Sequence, residues 1–268
     1  MSATDTVFAG SIPAIYDRYM VPLIFQPYAE LVAERAKGLQ PSHILETAAG
    51  TGVVTKALHH ALPDAEIVAT DLNQPMLDEA ARKVNAAKVA FRQADALNLP
   101  FKDGSFDLVV CQFGVMFFPD KVAGNAEARR VLREGGHYLL VIWDSVERNL
   151  ATKAAGAAVA ELFPENGAAF YERIPFRYHD RALIEHDLHA AAFEQIGFET
   201  VELHSRAASA LDAAIGLTQG TPMRSEIESR DPTLLGEATD AATEALRQFE
   251  GPAGFDAPMS AHIVIATK

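Results

Sequence analysis

The sequence predicts an α/β protein: a doubly wound, mostly parallel sheet of seven strands with helices on both faces, an antiparallel last strand and a helical lid insertion. Three observations predict it. From residue 44 to residue 143, short apolar runs alternate with segments of helical period, the signature of βα units. The first run leads through Gly50-Thr51-Gly52 directly into a helix. The second run ends in Asp71, nineteen residues after Gly52, where a doubly wound fold carries an acid at the carboxyl end of its second strand.

Taken in order, residues 1–10 are polar and expected to fray. Residues 11–19 predict a short helix with Ser11 as N-cap and Pro13 in its first turn, and residues 22–37 a second, closed by Gly38. Strand one follows at residue 44. Residues 66–70 predict strand two, and Asn73 with Pro75 starts a helix whose inner face is Met76, Leu77, Ala80 and Val84. Residues 89–94 and 106–111 predict strands three and four, the latter introduced by the turn Lys102-Asp103-Gly104-Ser105. A helix over 119–133 is expected to end at Gly135-Gly136 and give way to strand five, 137–143. Residues 149–163 and 180–196 predict helices, the second capped by Asp180 and closed by Gly197. Strands six and seven fall at 198–204 and 260–267 as an antiparallel pair. The 55 residues between them, 205–259, exceed a hairpin and predict a helical insertion over the active site, with 237–249 as its clearest helix. The expected organisation is therefore N-terminal helices over 1–40, a sheet domain over 41–204 and 260–268, and a lid over 205–259.

The candidate site lies at the strand ends. Gly50 and Gly52 carry no Cβ, so a ligand can lie against bare backbone at a helix N-terminus. Asp71 can accept hydrogen bonds from both hydroxyls of a ribose, which points to a nucleoside. Asp95 and Ala96, after strand three, offer a carboxylate acceptor and a backbone donor that match an adenine edge. Open α/β sheets bind ligands at these carboxyl ends.

The ordered motifs Leu45-Glu46-Thr47-Ala48-Ala49-Gly50-Thr51-Gly52, Thr70-Asp71-Leu72-Asn73, Ala94-Asp95-Ala96 and Leu99-Pro100-Phe101 through Val109, continued by Arg130 to Gly136, resemble the class I S-adenosylmethionine-dependent methyltransferases. The resemblance covers residues 40–145 and is to the small-molecule branch that includes the quinone-biosynthesis C-methyltransferases. It implies S-adenosyl-L-methionine as cofactor, with Glu46, Ala48, Gly50, Thr51 and Gly52 in the first loop and Gly50 near the methionine ammonium. It further implies Asp71 on the ribose, Leu72 and Met76 beside the adenine, Asp95 and Ala96 on its edge, and Gln112 and Phe113 beside the methionine part. In such enzymes an N-terminal helix with tyrosines covers the cofactor, a role for Tyr16 with Arg18 and Tyr19. Met116, Phe117 and Trp143 fall where an acceptor pocket would be walled. The family has glycine where this chain has Ala48, so a negative φ is expected there. The implied chemistry is direct in-line methyl transfer to a small-molecule acceptor, for which a dedicated base is optional. His179, in the loop 175–179, is the one candidate base.

Composition narrows the alternatives. A chain of 268 residues that is 49% hydrophobic can bury one large core, or one core and a lid. The net charge of −13, without basic clusters, argues against a nucleic-acid partner. There is no run of about 18 apolar residues and no basic-then-apolar leader, so neither membrane insertion nor export is expected. One cysteine excludes an internal disulfide and fits a cytoplasmic location; Cys111 in a central strand reads as core. No two of the nine histidines form a His-Glu-x-x-His pattern; His186 and His189, three apart on one helix face, permit a metal but do not require one, so none is expected. A homodimer is compatible with all of this. A nicotinamide-dependent dehydrogenase would share the turn and Asp71 but expects a third glycine where Thr55 stands, and leaves Asp95-Ala96 without a role. A non-catalytic S-adenosylmethionine-binding module shares every feature and is separated only by turnover.

Overall fold

The computed structural model describes Gly10 and residues 12–163 and 169–268; the expected fraying of 1–9 and the Ser11 cap lie outside the described residues. Eight strands form one sheet: β1 (His43–Glu46), β2 (Glu66–Asp71), β3 (Val89–Gln93), β4 (Phe106–Gln112), β5 (Leu132–Trp143), β6 (Gln195–Ala207), the two-residue β7 (Glu250–Gly251) and β8 (Gly254–Thr267). Their order is β3-β2-β1-β4-β5-β8-β6, with β7 paired to β8 off this path. The first five strands run parallel and β8 antiparallel to β5, as the sequence predicts; β7 is additional. The order turns back between β1 and β4, and such a switch point opens a crevice at the strands' carboxyl ends. Every residue of β4 is buried, as the centre of a sheet covered on both faces requires.

Helices α1 (Ile12–Ile15), α2 (Gln26–Leu39), α3 (Val53–Ala61), α4 (Gln74–Lys83), α5 (Lys121–Val131), α6 (Leu150–Glu161), α7 (Phe170–Arg173), α8 (Arg181–Ala190), α9 (Ala210–Gln219), α10 (Met223–Arg230) and α11 (Leu235–Leu246) complete the chain. Several boundaries differ from expectation: β6 and β8 are longer than predicted, and three further differences have a local cause. Residues 12–39 form one uninterrupted helical run, because the segment holding Pro22, Tyr16–Phe25, is π-helical. A wider turn relieves the clash between the proline ring and a preceding carbonyl that would break an α-helix. Next, α5 stops at Val131, and Gly135-Gly136 lies inside β5 rather than ending the helix. The ladder explains it: Phe106 pairs with Leu132 and Leu108 with His137, so the glycines occupy a bulge on β5. Finally, α8 ends at Ala190 and Gly197 lies within β6. Ala192 takes the left-handed conformation at φ 67°, with Phe193 N–H on Leu188 O (3.0 Å) and Ala192 N–H on His189 O (2.8 Å), a Schellman end built on alanine. Asp180 caps this helix as predicted, accepting from Ala182 N–H.

The chain groups into two compact units. The first takes residues 28–143, 178–201 and 261–268. Its core is the buried faces of β1, β4 and β5 with Val54, Leu58, Met76 and Leu77 from α3 and α4. Arg130 ties the turn before β4 together, donating to Leu99 O, Phe101 O and the carboxylates of Asp103 and Glu127. The second unit takes residues up to 27, 144–177 and 202–260, so the insertion folds with α6, α7 and the N-terminal helical turns rather than alone. There α11 packs on α9 and α6, and α9 on the π-helical segment, where the bare Cα of Gly216 admits Met20 and Tyr19. Tyr171 OH donates to Leu217 O at 2.6 Å, and Asn149 pairs reciprocally with the backbone of Ser260 (3.1 and 3.2 Å). None of the described helices is long and apolar enough to cross a membrane.

Candidate functional site

Strand β1 delivers Glu46 to the carboxyl edge of the sheet, where its side chain is 2% exposed. Its Oε2 accepts from Thr55 Oγ1 at 2.6 Å, one turn into α3. Burial pushes its carboxyl up to about 8, reinforced by the nearby charge of Asp71 and opposed by the Thr55 hydroxyl. The chain then turns tightly: Thr47 N–H binds Val110 O, Ala49 N–H binds Thr70 O, and Gly52 N–H binds Ala49 O. Gly50 and Gly52 both take positive φ, 56° and 81°. A Cβ on Gly52 would come within 2.9 Å of the Ala80 Cβ, so this glycine also lets α4 approach the turn.

Ala48 corrects an expectation. Its φ is +54°, not negative. The turn keeps the left-handed bend of a glycine loop and the alanine bears the strain, a cost of about 1 to 2 kcal/mol.

Strand β2 delivers Asp71, also buried. Its Oδ2 accepts from Gly50 N–H at 2.9 Å and its Oδ1 from Asn73 N–H at 2.8 Å, which links the ends of β1 and β2. Burial raises the pKa of its carboxyl against the pull of these two N–H donors. Asn73 stands at the N-cap of α4 as expected, without the side-chain cap. Leu72 is 52% exposed at the rim, and Met76 is buried on α4. After β3, Asp95 is exposed and its Oδ1 accepts from Leu97 N–H, shaping a turn beside Ala96.

After β4, Gln112 is buried and Phe113 takes φ 55°. Its N–H binds Val141 O at 2.8 Å, and its ring stacks on Trp143 at 3.7 Å with an angle of 10°. Tyr28 stands nearly perpendicular to both rings, its centroid 5.3 Å from that of Phe113 and 5.7 Å from that of Trp143. Trp143 thus has one face covered and is 4% exposed. Met116 is buried and Phe117 half-buried on the 3-10 turn Val115–Phe117 that follows.

Glu46, the 47–52 turn, Asp71, Asp95, Gln112 and Phe113 all belong to the sheet unit. Tyr16 belongs to the helical unit, where it stacks on Phe25 at 5.0 Å. His179 is exposed, and its carbonyl accepts from His262 Nε2 at 3.2 Å. The described residues hold no cluster of metal-binding side chains. Two contributors escaped the sequence: Thr55, which stands where a dinucleotide-binding turn has its third glycine, and Tyr28, far upstream in the chain.

A methyltransferase-domain family model matches residues 44–136, from β1 to the bulge in β5. The demethylmenaquinone methyltransferase of Deinococcus radiodurans is 35% identical over 143 residues, covering 52% of this chain and 59% of that protein. That of Lactiplantibacillus plantarum is 31% identical over 169 residues, covering 60% of this chain and 71% of that protein. The chain therefore spans only about three-fifths of the first relative's length. Among solved structures, a Haemonchus contortus phosphoethanolamine N-methyltransferase bound to S-adenosylhomocysteine superposes with a TM-score of 0.62 at 17% identity, covering 100% of this chain and 61% of that one. That likeness speaks for the fold alone.

Proposed function

The chain belongs to the class I S-adenosylmethionine-dependent methyltransferases, and on that premise we propose that it moves the methyl group of S-adenosyl-L-methionine to a small-molecule acceptor. The observation that carries the reading is the coupling of the glycine turn to Asp71 through the Gly50 N–H, at the switch point of the sheet. The residues fit the cofactor. Gly50 and Gly52 leave bare backbone; Asp71 Oδ2 accepts from Gly50 N–H and Oδ1 from both the backbone N–H and, at 3.4 Å, the side-chain Nδ2 of Asn73, so a ribose would displace the longer Asn73 contact to reach both oxygens. Asp95 and Ala96 would take the adenine edge, Leu72 and Met76 its face, and Gln112 and Phe113 the methionine part. When bound, the cofactor supplies a methyl group on a positive sulfur with a neutral leaving group. The protein's share is then orientation: alignment at near-attack distance is worth about 7 to 11 kcal/mol of barrier. Glu46, held near neutrality by burial, would ionise more readily beside a cationic ligand.

The relatives' names carry demethylated quinones, so hydroxylated quinone-type rings are the first acceptors to test. Residues 205–259 would roof the acceptor and exclude water; the helices α9, α10 and α11 that they supply support that reading. The charge of −13 supports a partner other than nucleic acid, and a single buried cysteine suits the cytoplasm. Incubation with methyl-labelled cofactor and a panel of such rings tests the proposal. Label on the acceptor with stoichiometric S-adenosylhomocysteine is the expected result. Cofactor binding without transfer across the panel would favour a binding module, and absence of binding would overturn the reading.

A further inference from the structure

We propose that Gly114 is a positioning residue of the cofactor site, acting through Ala48: the two form a compensated pair in which a methyl group is tolerated on the first loop because none is present after β4. The proposal rests on the cofactor reading above for its functional consequence, but its steric core is independent of it.

Gly114 has φ −103° and ψ −43°, a right-handed conformation open to any residue. Its identity is therefore a matter of space. A Cβ placed there would lie 2.5 Å from the Ala48 Cβ and 2.9 Å from Cys111 Sγ, closer than such atoms approach. The loop after β4 cannot retreat. Phe113 is pinned by its N–H on Val141 O and by its stack on Trp143, and Cys111 sits in a fully buried strand paired on both sides. Any added bulk at 114 must push the 47–52 turn, whose Gly50 N–H reaches Asp71. Ala48 already points its methyl group into this contact from a strained left-handed backbone. Removing that methyl should restore the room that Gly114→Ala takes away, while the Cys111 contact is common to both backgrounds and cancels.

The test is a four-protein cycle of wild type, Ala48→Gly, Gly114→Ala and the double variant, read by calorimetric titration with S-adenosylhomocysteine and by melting temperature. Gly114→Ala should weaken binding about tenfold or more with Ala48 present, and less than about threefold in the Ala48→Gly background. Its drop in melting temperature should shrink likewise. Equal losses in both backgrounds would overturn the pairing. Coupling in melting temperature without coupling in affinity would overturn the positioning role. Should Gly114→Ala fail to fold, recovery of a cooperative melt in the double variant supports the pair, and failure of both overturns it. If wild type takes up no S-adenosylhomocysteine, the cofactor reading fails, while the steric pair is still decided by the melting temperatures.

Discussion

At the scale of single residues, the site is organised by two buried carboxylates with different work. Asp71 accepts from two backbone N–H groups and, on the proposed reading, from a ligand, so Asp71→Ala should weaken S-adenosylhomocysteine binding by about 1 to 3 kcal/mol and lower unfolding stability by a similar amount. Titration calorimetry and urea unfolding on the same samples check both. Glu46 gives a pH signature. Its carboxyl stands at 4.5 when unfolded and about 8 when folded, so its contribution to stability is complete below about pH 4.5 and is lost as pH rises through about 8. Glu46→Gln keeps an acceptor for Thr55 without the charge. Its melting temperature should match wild type near pH 5 and exceed it increasingly toward pH 8; parallel curves would show that Glu46 does not titrate in this range. Sequence motifs disclosed both acids, because strand ends mark their own positions. They did not disclose that Ala48 would be left-handed, because alanine carries no signal for that conformation.

At the scale of elements, the legible parts were those with local signals: parallel strands with continuous apolar runs, and a cap such as Asp180 that accepts from an N–H group of the first turn. The misplaced boundaries had signals overruled by geometry. Gly135-Gly136 resembled a helix stop but serves a strand bulge, and the true stop of α8 is an alanine, which sequence reading does not rank as a stop. Ala192 therefore carries strain that glycine would not. Ala192→Gly should raise stability by about 0.5 to 1 kcal/mol, the relief of left-handed strain exceeding the added freedom of the unfolded chain. Chemical denaturation measures it, and a loss of stability would mean the Ala192 methyl makes compensating contacts. Pro22 misled in the same way. A proline in a helical pattern ordinarily breaks it, and the π-helical segment is a solution invisible to a 3.6-residue period.

At the scale of the whole molecule, the sequence disclosed one sheet but not how the chain would be shared. The helical unit draws on three separate stretches, and contacts between stretches leave no periodic mark. If residues 205–259 roof the acceptor, their amides should exchange more slowly when cofactor and acceptor are both bound than with either alone. Hydrogen exchange followed by mass spectrometry reads this peptide by peptide; protection that follows protein concentration instead would assign the segment to self-association.

Cys111 has no neighbouring thiol and no exposed surface, and it lies under the turn that Ala48 and Gly114 close. It is therefore a built-in clock. A thiol reagent reaches it only when β4 and the turns over it part, so the rate at which an aromatic disulfide is consumed, one thiol per molecule, reports the open population, and at reagent excess high enough to outpace reclosing it counts the openings themselves. A ligand that clasps the turn should slow the clock without touching the sulfur. The protein thus carries its own probe of local breathing at its centre, and no label need be engineered into it.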